Sequence, residues 1–193
     1  MSDVLLAPFS NSDVRDWPIG HYVALTRLLL DRLAPDQRVR VVGTAGQKLR
    51  ACDVVRPFSP TRVVNECGRL SWPQLMDEVE RAACLVGNNS GLAHLGGHVG
   101  TPTVCVFGGS HPRREWRPLG RSVVLVSRAI GCSPCQLDRG SRSPYGQACL
   151  REIDPADVAD AVFFIMKRVA RHPRGDDADR SVRNERALEC CPA

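Results

Sequence analysis

Aromatic residues are scarce in this chain. They make up 5% of its 193 residues, and the arginines among which they would have to interleave are scattered rather than gathered into a stripe. Nucleic-acid binding draws on clustered cations with stacking aromatics, so a net charge of +5 does not point to nucleic acid. Long apolar runs are also missing. No stretch approaches the roughly 20 residues that a membrane span needs. The opening segment MSDVLLAPFSNSD lacks a basic start and an extended apolar core, so no secretory signal is read in it. The expected compartment is therefore the cytoplasm, including its face of the inner membrane. Neither a Walker A sequence nor a GxGxxG fingerprint occurs, and no internal repeat is visible.

Cysteine, by contrast, is plentiful, with nine in the chain. Cys84 and Cys105 lie in apolar, strand-like runs and read as small buried hydrophobes. A secreted disulfide scaffold does not fit a chain of this length without a signal. Arg supplies nearly all the cations, and its planar fork suits anionic small ligands through bidentate contact with phosphate.

Short apolar runs alternate with helical patterns along residues 1–172, which are expected to form one domain. Strands are predicted at 4–7, 38–42, 61–65, 84–86, 103–107 and 123–127. Helices are predicted at 17–33, 47–55, 72–82 (capped by Ser71) and from Asp154 or Pro155 to Arg171. Trp17 reads as a packing anchor for the first helix. Residues 111–120 read as an irregular loop, with Arg113 and Arg114 exposed and Trp116 packed on Pro112 and Pro118 or lining a sugar pocket. A cysteine-containing loop follows at 131–149. Residues 173–193 carry too little apolar content to pack. Such alternation predicts an α/β fold, a Rossmann-like parallel sheet with helices on both faces. Ligands of such sheets bind at the C-terminal ends of the strands.

The segment CLVGNNSGLAHLGGHVGTPTVCVFG, residues 84–108, carries the strongest functional signal. An apolar run stops at Gly87, and Asn88, Asn89 and Ser90 open a helix. A helix start of this kind is an anion site, because its first N–H groups lack partners and its dipole favours negative charge. Ser90 or Asn89 is placed to cap the helix. Gly91 lets a ligand approach the backbone, and His94 stands one turn further on the same face.

Four landmarks in order resemble glycosyltransferase family 9, the heptosyltransferases. They are APFSNSDVRDWP (residues 7–18), GRLSWPQLMDEVERA (68–82), VGNNSGLAHLGGHVGTPTVCVFG (86–108) and CSPC…CLREIDPADV (132–158). The resemblance implies the C-terminal, nucleotide-sugar-binding half of a GT-B enzyme. It implies a nucleotide-diphosphate sugar as ligand, ADP-heptose in the best-known members, and a cell-envelope glycan or a protein as acceptor. The family's loop hydroxyl corresponds to Ser10 and its basic phosphate residue to Arg15. Its helix-start set corresponds to Asn89, Ser90, Gly91 and His94. Two departures stand out. The family's helix-start Asp is Asn89 here, and the acidic residue that meets the ribose falls near Gln47. The resemblance also implies an acceptor half, which holds the catalytic base; no carboxylate of this sequence is assigned that role. That half would come from another polypeptide or from upstream sequence.

Cys132, Cys135 and Cys149 supply three thiolates, whereas tetrahedral sites usually take four ligands. Some relatives of the family have a fourth cysteine in this loop and hold a metal; the matching position here is Ser143. Transfer itself needs no cofactor, and iron or zinc at this loop is the metal the resemblance implies. Two other readings stay open beside a transferase. One is a nucleotide-binding module without transfer, and the other is a metal-bound assembly protein in which the loop organises a homo-oligomer.

Overall fold

The computed structural model describes residues 2–137 and 145–171. Six strands form one wholly parallel sheet: β1 (Val4–Ala7), β2 (Val39–Val41), β3 (Val63–Asn65), β4 (Cys84–Asn88), β5 (Thr103–Phe107) and β6 (Val123–Ser127). Their spatial order is β3-β2-β1-β4-β5-β6. Every residue of β1, β4 and β5 is buried. This explains why these strands read as continuous apolar runs rather than as alternating ones.

The helices are α1 (Ile19–Leu30), α2 (Lys48–Val55), α3 (Trp72–Arg81), α4 (Gly91–His98), α5 (Arg113–Trp116), α6 (Ala148–Arg151) and α7 (Pro155–Arg171). Pleating divides the core between two faces. Val4, Leu6, Val39, Val41, Val86, Val104 and Val106 point to one side. There they meet Tyr22, Leu25 and Leu29 of α1, Ala51 and Val54 of α2, and Val158, Val162 and Ile165 of α7. Leu5, Ala7 and Leu85 point to the other side, against Val79 of α3 and Leu92 and Leu95 of α4. Trp17 is 1% exposed and anchors the entry to α1, as its position before the helix predicts. Cys84 and Cys105 are fully buried, and burial pushes both thiols far above their ordinary range.

Three local differences from the sequence reading have physical reasons. β4 does not stop before Gly87. Gly87 pairs with Ala7 and Cys105, and Asn88 with Val106, because a ladder bonds through the backbone and a polar side chain does not end it. α1 closes at Leu30, three residues early, yet the Leu33 N–H still donates to the Leu29 carbonyl (2.8 Å). Leu33 therefore stays inward, at 8% exposed. The loop at 111–120 contains the single-turn α5, started after Pro112.

The second half of α4 lies unusually close to the chain that leads into β6. A Cβ on Gly97 would collide with the Leu119 carbonyl oxygen and stand 3.0 Å from Val123 Cγ2. A backbone carbonyl has little room to yield. Gly97→Ala is expected to cost about 1–3 kcal/mol and to lower the melting temperature by roughly 2–12 °C. A thermal melt matching the wild type would show that this packing is not tight.

Candidate functional site: a crevice between β1 and β4

β1 and β4 are neighbours, but the helices that follow them leave on opposite faces of the sheet, α1 on one and α4 on the other. A crevice opens at such a reversal, outside the C-terminal strand ends. Two segments line it, residues 8–16 after β1 and the turn from β4 into α4. Ser10 and Arg15 lie in the first; Asn89, Ser90, Gly91 and His94 lie in the second.

Ser90 is the N-cap of α4, with an extended backbone (φ −146°, ψ 170°), yet its hydroxyl makes no capping bond. That oxygen is buried without a partner. Asn89 is 3% exposed. Gly91 is open, and a Cβ there would meet nothing within 4 Å. His94 stands exposed on the first turn, and partial burial of its ring lowers its pKa below the usual value.

Ser10 is engaged within its own loop. Its N–H (2.7 Å) and Oγ (2.8 Å) both donate to Asp16 Oδ1. Oγ also lies 2.6 Å from the Ser12 carbonyl and accepts the Ser12 N–H at 3.1 Å. The hydroxyl thus shapes the loop. Arg15 donates through Nη2 to the Asn11 side-chain oxygen, while its Nε is buried and unpartnered. Six buried side-chain polar atoms lack a partner among the described residues, and three lie on these two segments: Ser12 Oγ, Arg15 Nε and Ser90 Oγ. Native structures rarely leave such atoms unpaired, and a cluster of them along one crevice is a place where a ligand completes the bonding.

The residue that joins the two segments is Asn88, which is fully buried at the end of β4. Its Oδ1 accepts from the Trp17 N–H (3.1 Å) and the Tyr22 hydroxyl (2.8 Å). Its Nδ2 donates to the Pro8 carbonyl (2.6 Å) and to Asp16 Oδ1 (3.2 Å). Burial, and then the Asp16 charge, push the Tyr22 pKa well above its ordinary value, so the hydroxyl keeps its proton and donates. Asp16 is closed from the other side by Arg50 of α2, whose Nη2 lies 3.0 Å from Oδ2 and whose guanidinium stacks 4.6 Å from the Phe9 ring centroid. Gln47 is likewise committed: its Oε1 accepts the Thr44 N–H (2.9 Å) and closes a capping box.

The joint formed by Asn88, Asp16 and Tyr22 is evident only in the structure, although one signal was available. A tyrosine on the apolar face of a helix needs a partner for its hydroxyl, and a polar residue ending a buried strand is where such a partner stands.

The family model for glycosyltransferase family 9 (heptosyltransferase) matches residues 2–145. The chain belongs to that family. None of the curated proteins matches it in sequence. Solved family members share the fold. Escherichia coli ADP-heptose LPS heptosyltransferase II superposes with a TM-score of 0.72 at 18% identity, over 88% of this chain and 48% of that one. E. coli heptosyltransferase WaaC, solved with ADP, gives 0.60 at 22% identity, over 70% of this chain and 40% of that one. The iron-containing dodecameric glycosyltransferase TibC from enterotoxigenic E. coli H10407 gives 0.64 at 19% identity, over 88% and 47%. The chain thus spans about half the length of these structures. Its parallel sheet with helices on both faces is a Rossmann-like domain of the kind found in GT-B heptosyltransferases.

The cysteine loop departs from the metal expectation. Cys149 is 7% exposed. Burial raises its thiol pKa, and Cys135 and Cys132 nearby add to the rise. The Cys135 N–H donates to the Gly109 carbonyl (2.9 Å), and the Gln136 N–H to the Ser110 carbonyl (2.8 Å), which lays the segment beside the exit of β5. The three thiols are therefore neighbours. Still, among the described residues no group of three or more His, Cys, Asp or Glu side chains is placed to hold a metal ion. Cys132, Cys135 and Cys149 do not by themselves fit an iron or zinc site, because the site would need a fourth donor and closer convergence. Ser143, in the position expected of that donor, lies outside the described residues, as do residues 173–193.

Replacing Asn88 with Ala leaves the Tyr22 hydroxyl, the Trp17 N–H and the Pro8 carbonyl buried without partners. The expected cost is about 3 kcal/mol, read as a melting temperature roughly 6–12 °C lower. Tyr22→Phe, which keeps the other three bonds, is expected to cost about 1 kcal/mol. Equal costs for the two variants would show that Asn88 is not the joint.

Proposed function

We propose that the crevice holds the diphosphate of a nucleotide-activated sugar, ADP-heptose, and that the chain is the donor-binding domain of a glycosyltransferase acting on a cell-envelope glycan or a protein. One observation carries this reading. Ser12 Oγ, Arg15 Nε and Ser90 Oγ are buried and unpartnered on two segments that Asn88 pins together at the switch point. All three are donors, and phosphate oxygens are the acceptors they lack. Family membership supports the ligand class, and the ADP complex of WaaC and the ADP-D-β-D-heptose complex of TibC support the nucleotide and the sugar.

The chemistry then follows from charge. When the bond between sugar and diphosphate breaks, negative charge grows on the leaving phosphate and must be met by donors already in place. The start of α4 supplies N–H groups and the positive end of a helix dipole. Arg15 supplies a permanent cation, and His94 a second group able to become one. Ser10 and Asp16 act one step back, holding the loop that presents Arg15. The sugar acceptor and the base that deprotonates it belong to an acceptor half, supplied by another polypeptide or by upstream sequence.

A second reading is favoured by a specific observation. Asp16, the acid that closes the base of the crevice, is bound by Ser10, Asn88 and Arg50, and Asn89 stands where the family has Asp. The Asp16 charge is committed within the protein and Asn89 carries none, so a step that needs an acid at the helix start is lost. A module that binds nucleotide without transferring sugar fits those facts.

Calorimetric titration with ADP, UDP, GDP and ADP-heptose tests the site. The adenine ligands are expected to bind with Kd on the order of micromolar, and Arg15→Ala to weaken them about 10- to 100-fold. Gly91→Ala should leave the melting temperature unchanged, since a Cβ there meets nothing, yet weaken binding at least about tenfold by blocking approach to the helix start. No nucleotide binding at millimolar concentration would sink the proposal. Binding without turnover in the presence of an acceptor domain and acceptor would select the module.

The pH dependence has a defined sign. In the free chain the His94 pKa is lowered, so the ring is neutral at pH 7. A bound diphosphate favours the charged ring and raises that pKa. Binding is therefore expected to take up protons as pH falls from neutrality toward the lowered His94 pKa. Buffers of different ionisation enthalpy read that uptake, and His94→Gln should abolish it. Uptake unchanged in the variant would remove His94 from the site.

A further inference from the structure

The crossover from β5 to β6 is built differently from its neighbour. Between β4 and β5 the eight-residue α4 covers the sheet. Between β5 and β6 there is only the four-residue α5, and Val123, Leu125 and Ser127 of β6 are left half-buried. On this span Trp116 is 44% exposed and Leu119 69% exposed.

These side chains are not loose. Pro118 between them is buried. The Trp116 ring lies against His111, with centroids 4.5 Å apart, and the Leu119 carbonyl is pressed onto Gly97. A fixed backbone thus holds an indole and a leucine outward. Around them Arg113, Arg114 and Arg117 are all exposed. Between His111 and Gly120 the sequence has three arginines and one acid, Glu115.

Each partner class makes a different demand on such a surface. A nucleic acid would take the arginines but has no use for Leu119. A protein contact of ordinary composition would pair the cations with acids and deplete them at its centre. An anionic bilayer uses all of it. The indole sits at headgroup level, leucine enters the acyl boundary, and guanidinium forks bind lipid phosphates within the negative surface potential.

We propose that the β5–β6 crossover seats this chain on an anionic lipid surface, with Trp116 and Leu119 entering the headgroup region and Arg113, Arg114 and Arg117 on the lipid phosphates. The inference goes beyond the donor reading and does not depend on it. The two meet in geometry, because the crossover leaves β5 at the sheet edge where the crevice opens.

Co-sedimentation of the full chain with phosphatidylcholine vesicles, with and without about a third phosphatidylglycerol, tests this. Binding is expected to the anionic vesicles alone and to weaken as added salt screens the charges. Combined Arg113→Ser, Arg114→Ser and Arg117→Ser is expected to reduce partitioning about 100-fold, near fivefold per arginine. Combined Trp116→Ser and Leu119→Ser should reduce it at least about tenfold. A blue shift of tryptophan emission on binding should disappear in Trp116→Phe. No binding to anionic vesicles at low salt overturns the proposal, and this needs only the wild-type chain. Binding that neither set of substitutions weakens also overturns it. A lipid-free dimer abolished by the Trp116/Leu119 pair would instead assign the face to a second copy. Nucleotide titration of the same preparations, expected to be unaltered by these substitutions, keeps a failure here distinct from a failure of the donor site.

Discussion

The side-chain amide of Asn88 has two acceptor positions and two donors, and all four are used inside the protein. Its partners come from both ends of the loop that follows β1, from Trp17 just before α1, and from Tyr22 on the first turn of that helix. A strand from the second half of the sheet is thus tied to three consecutive parts of the first. No apolar contact does this, because hydrophobic packing is non-directional, whereas an amide with four fixed partners sets both position and angle. The depth of the crevice, the direction in which the 8–16 loop runs, and the presentation of Arg15 all depend on this one residue. Each bond adds little net stability, but leaving any partner unmet in a buried place is costly, which makes the joint stiff.

Charge at the crevice is arranged around the same joint. A carboxylate next to an anion site would ordinarily repel the ligand. Asp16 is prevented from doing so by its surroundings: two donors from Ser10, one from Asn88, and the Arg50 guanidinium on the far oxygen. Its charge is met by the surface residue Arg50, while Arg15 keeps its Nε unpaired on the same loop. Asn89 adds a neutral amide where the family has an acid. With Asp16 committed to Ser10, Asn88 and Arg50, the buried donors of Ser12, Arg15 and Ser90 are left for an acceptor such as the proposed diphosphate.

Much of this was legible in the sequence, and the parts that were not share a physical reason. The six strands and the long helices follow from apolar runs and period, and the start of α4 after Ser90 follows from Asn89, Ser90 and Gly91 in a strand–turn–helix setting. Local chemistry decides such features. The division of work between Ser10 and Ser12 was not legible. Both are serines in one polar loop, and only the fold shows that the first is bound by Asp16 while the second has its hydroxyl buried and unmatched. Asn88 was read as part of the polar turn because its role depends on Trp17 and Tyr22, some seventy residues earlier. Similarly, three cysteines at metal-like spacing carry no information on whether their thiols converge.

Trp116 depends on the fold in the same way. Its sequence neighbours allow either packing on Pro112 and Pro118 or lining a sugar pocket. In the structure Pro118 is buried while Trp116 lies against His111 with 44% of it exposed. The short α5 is the cause. A four-residue helix cannot cover β6 as α4 covers β5, and the uncovered strip needs another apolar medium or remains wet. Single apolar residues on a surface need no explanation, but two held rigidly outward and ringed by unbalanced arginines do. The sheet is thus asymmetric by construction. Its β1–β4 junction is sealed by a saturated amide and arranged for a small anion, and its β5–β6 flank is left thin, cationic and greasy. The two proposed roles, holding a small anion and resting on an anionic lipid surface, make opposite demands on a surface, and separate crossovers of one sheet let each be met without weakening the other.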